Sequence, residues 1–160
     1  MLELEETVAR LDLRLEPIAK RPIDLSDPAW QEKLRVAEPL DEAGIRAEAE
    51  EALRALLDRY EHGDDETRTA VRAMFDRYSS FCWAAHLPGA DFRTRLLHLS
   101  ARDHGRDTRD EILALNALGT EARAAGVDIG PLLREVAELS STVDKYGMGS
   151  MRDILLRCAG

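Results

Sequence analysis

The densest run of chemistry-bearing side chains is Arg102-Asp103-His104-Gly105-Arg106-Asp107-Thr108-Arg109-Asp110-Glu111, with His98 one helical turn upstream. Imidazole and carboxylate are metal ligands, and guanidinium is the best side chain for gripping a carboxylate or phosphate. A metal set drawn from this segment would use His98, Asp103, His104, Asp107 and Asp110. An anion or small ligand would meet His98, Arg102, Asp103, His104 and Arg106. Five arginines between Arg93 and Arg109 face only Asp103 and Asp107 locally, so this is the one basic stretch of the chain.

The spacing argues against a metal. Helical metal sites place ligands three or four residues apart, as in His-Glu-x-x-His or Glu-x-x-His, and neither pattern occurs. Helical His-Asp metal hydrolases present His before Asp with further distant histidines. Here the order is Asp103-His104 and the outlying partners are missing. The competing reading is a solvated turn between two helices, with Asp107 as cap and the arginines pairing locally. Asp58 and His62 lie four apart, but His62 at a helix C-terminus complements the dipole there. No metal site and no cofactor are expected.

Nucleophiles and phosphate cradles fare no better. Cys82 falls on an apolar helical face between Phe81 and Trp83, where burial raises a thiol's pKa and leaves it inert. Cys158 falls on the apolar stripe of the last helix. There is no Gly-x-Ser-x-Gly elbow. Gly147-Met148-Gly149-Ser150 precedes a helix start that could hold an anion. It lacks the third glycine and the strand of a dinucleotide site, and the Gly-Lys-Ser/Thr of a phosphate loop. It reads as a connector. The aromatic run from Tyr78 to Trp83 either lies covered in the core or exposes Trp83 as an anchor for a partner. Asn116 lies close enough to an apolar face to mark a packed polar contact or a close helix crossing.

The elements that must position these residues are helices. Leu4, Val8, Leu11, Leu15 and Ile18 form a helical stripe, broken by Pro17 and Pro22. Asp27 and Pro28 start a helix carrying Trp30, Leu34 and Ala37. Asp41 caps the next, with Ile45, Ala49, Ala52, Leu53, Leu56, Leu57 and Tyr60 inward. His62-Gly63-Asp64 closes it and opens a helix from about Asp65 to Ala85, burying Val71, Met74, Phe75, Tyr78 and Cys82. Leu87-Pro88-Gly89 is a turn, and Asp91 caps a helix with Phe92, Leu96, Leu97 and Leu99 that Gly105 ends. Asp107 or Thr108 caps a long helix with Ile112, Leu115, Leu118 and Ala122, closed by Gly126. Ile129, Leu132, Leu133, Val136 and Leu139 mark a further helix. Met151, Ile154, Leu155 and Cys158 mark the last, with Ser150 and Asp153 at capping-box spacing.

Residues 52–60 and 70–78 match at six of nine positions, at an offset of 18 residues. One helix and a turn fill that offset, so the echo places two similar helices on one core. The expected fold is all-α: a single domain over 1–160 with seven or eight helices. Residues 1–40 form a helical extension with proline breaks, and 41–160 form the core. The short turns between amphipathic helices over 41–160 resemble HEAT-like helical packing, without a diagnostic motif. An irregular bundle or a short array of that kind is the expectation.

Composition bounds the function. The chain has 160 residues, 44% hydrophobic and 33% charged, enough for a core without staples. No apolar run approaches the ~20 residues of a membrane helix. Two cysteines make no disulfide framework, and the acidic start Met-Leu-Glu-Leu-Glu-Glu is unlike a secretory signal. A cytoplasmic setting is expected. Nineteen arginines against three lysines suggest GC-rich coding and a bacterial source. Residues 1–66 carry 19 acidic and 9 basic side chains, and residues 67–160 carry 12 and 13. Net charge is −9, which disfavours general nucleic-acid binding and favours a basic protein partner. The leading expectation is a non-catalytic, acidic binding protein, an immunity-like inhibitor or an adaptor, using Glu48, Glu50, Glu51 and Trp83. The alternative is a small-ligand or metal-dependent enzyme using His98 to Glu111. A homodimer through the Leu4, Val8, Leu11, Leu15 seam is a third route.

Overall fold

A computed structural model describes residues 2–19, 26, 28–29, 31–32, 42–102, 108–144, 147 and 149–160, without the side chains of 108–110. The described residues are all-helical, as the apolar spacing requires. Eight helices run in order: α1 (Leu2–Ala19), α2 (Glu42–His62), α3 (Asp65–Arg77), α4 (Ser79–Ala84), α5 (Phe92–Ala101), α6 (Thr108–Ala124), α7 (Gly130–Leu139) and α8 (Met151–Ala159). None is long and apolar enough to cross a membrane. The chain divides into two compact units: Met1–Leu56 with Arg77–His86, and Leu57–Asp76 with Leu87–Gly160. Pro28, Ala29, Gln31 and Glu32 are helical, where the sequence starts a helix at Pro28; its Trp30, Leu34 and Ala37, and the expected caps at Asp27 and Asp41, lie outside the described residues.

In the first unit, α1 packs on α4. Val8, Leu11, Leu15, Ile45, Leu53, Leu56 and Phe81 are fully or almost fully buried. Each such side chain contributes about 1.5–3 kcal/mol through burial. Of the α1 stripe, Val8, Leu11 and Leu15 are buried and Leu4 is half-buried. Pro17 does not stop α1, which runs on to Ala19. The carbonyl that loses its partner to proline is that of Leu13, whose side chain is 71% exposed, so water can serve it.

The helix expected over 65–85 is two helices. Tyr78 breaks it at φ −106°, ψ 67°. The cause is a competing acceptor: the Phe81 N–H donates to Asp12 Oδ1 at 2.8 Å. Asp12 of α1 therefore caps α4 from another helix, since Tyr78 has no capping side chain. At the other end Arg46 Nη1 donates to the Ala84 carbonyl at 3.1 Å. Glu5 holds Arg77 and the Tyr78 hydroxyl. Tyr78 is accordingly half-buried at the surface, while Phe81 and Cys82 are the buried pair.

In the second unit, the α2–α3 corner needs glycine. A Cβ on Gly63 would sit 2.5 Å from the Arg59 carbonyl and 2.7 Å from Thr67. Asp64 then caps α3 through the Thr67 N–H at 2.8 Å, and Asp91 caps α5 through the Thr94 N–H at 2.8 Å. Gly126, at φ +72°, closes α6. Val127 N–H returns to the Ala122 carbonyl and Gly126 N–H to that of Arg123, a Schellman pair that glycine's freedom at positive φ permits. Ser150 and Asp153 form the capping box of α8.

One buried polar network joins these helices. Tyr60, fully buried at the end of α2, contacts Ser100 Oγ of α5 at 2.6 Å and the Leu139 carbonyl of α7 at 2.8 Å. Ser100 meets Ser140 Oγ at 2.5 Å, and Ser140 donates to the Val136 carbonyl at 2.8 Å. Arg72 of α3 places Nη1 3.4 Å from both the Tyr60 hydroxyl and the Leu139 carbonyl. Three hydroxyl protons cannot fill four links. Tyr60 donates to the Leu139 carbonyl and Ser140 to that of Val136, which leaves the one Ser100 proton for its contacts with the Tyr60 and Ser140 oxygens.

Two outcomes follow. Tyr60→Phe keeps the ring and removes the hydroxyl, and should lower unfolding free energy by about 1–3 kcal/mol. Urea denaturation at the wild-type midpoint would show the network to be without weight. Second, the Thr94 N–H holds the Asp91 carboxyl below its ordinary 3.8. A depressed carboxyl stabilises above the unfolded value and loses that effect as pH falls through the folded one. The stability gap between wild type and Asp91→Ala, about 1 kcal/mol at neutral pH, should hold to about pH 5 and narrow below pH 4. A gap that does not change down to pH 2.5 would contradict the cap.

Candidate functional site

The polar segment singled out by sequence divides on folding. Asp103, His104, Arg106 and Asp107 lie outside the described residues. His98 is buried on α5, its ring 5.7 Å from that of Phe75 and tilted by 44°. Arg102 is the C-cap residue of α5. Its guanidinium lies 3.9 Å from the carboxylate of Glu111, with side-chain exposures of 14% and 4%. Arg102 and Glu111 thus form an interior charge pair tying α5 to α6, where sequence placed them in a solvated run. No three His, Cys, Asp or Glu side chains among the described residues are grouped to hold a metal ion.

The basic character of this stretch is largely neutralised. Arg93 bridges Glu61 of α2 and Glu135 of α7. Arg95 grips Glu121 of α6 through two bonds of 3.0 and 2.7 Å. The Glu135 carboxylate raises Arg93, and the Glu121 carboxylate raises Arg95, above the ordinary guanidinium value. Of the five arginines expected to receive an anion, Arg93, Arg95 and Arg102 instead face carboxylates. Sequence distance hid the partners, which sit 26 and 42 residues away from Arg95 and Arg93. At the start of α8, Asp153 takes the Ser150 N–H at 3.3 Å, so that helix end is capped by its own chain.

In the first unit, Glu48 and Glu51 are exposed on one side of α2 and Glu50 is half-buried. Glu48 meets Arg14 of α1 at 3.1 Å. That pair is exposed, and such pairs contribute roughly 0–1 kcal/mol. Trp83 is 43% exposed, so of the two placements for the aromatic run, Phe81 takes the core and Trp83 the surface. The charge asymmetry along the sequence does not follow the units. The first unit carries 14 acidic and 9 basic residues, the second 17 and 13, because residues 57–66 belong to the second.

A further feature escaped the sequence. A groove of about 590 Å³ is lined by Leu115, Asn116, Gly119 and Arg123 of α6, by 127–130, and by Leu133 and Cys158. Asn116 is exposed there, and Cys158 is exposed instead of lying on the apolar stripe of α8. The stripe of α8 buries Met151, Ile154 and Leu155, while Leu156, Arg157 and Cys158 are exposed. Only the polar Asn116, Thr120 and Arg123 along α6 signalled a wet face.

Removal of Glu111 takes the buried guanidinium's carboxylate away. Glu111→Leu should cost about 3 kcal/mol, and Arg102→Met with Glu111→Leu should recover most of it. Urea denaturation of all four members of that cycle checks the coupling, and strictly additive losses would disprove the pair. No family model, curated protein or solved structure matches the chain.

Proposed function

We propose that this protein acts by binding a basic protein partner through the α2 face of its first unit, without catalysis of its own. The observation that carries this is the pairing of exposed Glu48 and Glu51 on α2 with the exposed Trp83 in the same unit. Among the described residues Glu51 has no ion pair, so its charge is available to an incoming cation. An exposed aromatic side chain and exposed carboxylates are the components of an interface anchor and of steering charge. An immunity-like inhibitor or an adaptor of a bacterial cytoplasm is the kind of protein this describes. Net charge of −9 disfavours a nucleic-acid backbone as the partner.

The test is retention from source lysate by immobilised wild type and by Glu48→Lys/Glu50→Lys/Glu51→Lys, at low and high salt. A basic protein held by wild type at low salt should be retained about tenfold less by the variant, with the difference vanishing at high salt. Trp83→Ala should weaken retention at both salts. Equal retention by wild type and the triple variant would refute the acidic face as the interface.

A further inference from the structure

The groove of about 590 Å³ in the second unit has the size of a small-molecule site. Its floor is apolar, with Leu115 and Leu133 buried beneath it. Three polar side chains of α6 line it, of which the Thr120 hydroxyl donates to the Asn116 carbonyl at 3.0 Å. Asn116 offers an amide, and Arg123 offers a guanidinium with no ion pair among the described residues. Seven residues separate them, about 10 Å along the helix axis. The one carboxylate in the lining, Asp128, is committed to the Gly130 N–H at 2.9 Å. It thereby occupies the start of α7 and leaves Arg123 as the positive pole of the groove.

Gly119 supplies an independent observation. Glycine inside a helix costs about 1 kcal/mol relative to alanine. The fold gives no reason for it here: φ is not positive, and a Cβ at this position would meet nothing within 4 Å. The space it leaves is the groove itself, midway between Asn116 and Arg123.

We propose that this groove binds a small organic anion with an apolar body, its acid group on Arg123, its body over Leu115 and Leu133 across Gly119, and a polar far end on Asn116. The probe is 8-anilinonaphthalene-1-sulfonate, an aryl body with one acid group, with uncharged N-phenyl-1-naphthylamine as its neutral counterpart. Cys158 provides a local reporter, since it is exposed in the lining while Cys82 is buried. Wild type should bind the sulfonate at one saturable site that slows alkylation of Cys158 by iodoacetamide. Gly119→Leu fills the groove and strengthens the helix, so it should retain or raise the melting temperature while losing both probes. Arg123→Gln should weaken the sulfonate about tenfold or more and leave the neutral probe unchanged. Absence of saturable binding overturns the proposal. So does equal sulfonate affinity in wild type, Gly119→Leu and Arg123→Gln, or alkylation of Cys158 at an undiminished rate under saturating sulfonate.

Discussion

Short helices end often, and every end leaves carbonyls that the helix cannot pair. Four of the eight helices have ten residues or fewer, so unpaired carbonyls are a large share of the backbone. The fold depends on how these are met. Arg46 takes the Ala84 carbonyl at the end of α4, and Arg68 takes that of Tyr60 near the end of α2. Arg152 takes both Ala137 and Glu138 at the end of α7, each at 3.0 Å. Arg72 reaches Leu139 beside them. A guanidinium suits this task because its fork of donors meets diverging carbonyls and its charge complements the negative helix end. Arginine richness, which suggests only a coding bias in the sequence, therefore has a structural use.

The same constraint explains the buried polar centre. Where α7 ends, Ser140 turns the chain with its hydroxyl back on Val136 and its N–H on the Ala137 carbonyl. Tyr60 and Ser100 then extend that end into the core. Apolar side chains in these positions would leave the Leu139 carbonyl to Arg72 alone, at 3.4 Å. The hydroxyl chain ties α2, α5 and α7 together, since Tyr60, Ser100 and Ser140 stand on or at the ends of these three helices and contact one another in sequence. Greasy packing alone would tolerate sliding.

The helices and most of the core were legible because both follow from local spacing. The stripe on α2 from Ile45 to Tyr60 is buried throughout, and the caps at Asp64, Asp91 and Ser150 are where side-chain chemistry places them. What the sequence hid was set by distant partners. The break at Tyr78 depends on Asp12, 69 residues from the amide it captures. The interior place of Glu111 depends on Arg102, and the neutralisation of Arg93 on Glu61 and Glu135. A run of charges looks solvated until its partners are known. Cys158 misled for a related reason: its helical phase is apolar, but its side chain faces the groove, where it is exposed.

Glycines separate what the fold demands from what a ligand would. Gly63 is required by contact with a backbone carbonyl, and Gly126 by its positive φ. Both requirements are met within the chain. Gly119 answers to neither, and it weakens a long helix at the point where that helix borders open space. An alanine there would strengthen the helix and meet nothing within 4 Å, so folding alone favours a side chain at this position. Keeping it empty opposes that preference, and the proposed ligand supplies an opposing advantage by occupying the space after folding. Arg123 at one end, with no ion pair among the described residues, gives that occupant its sign.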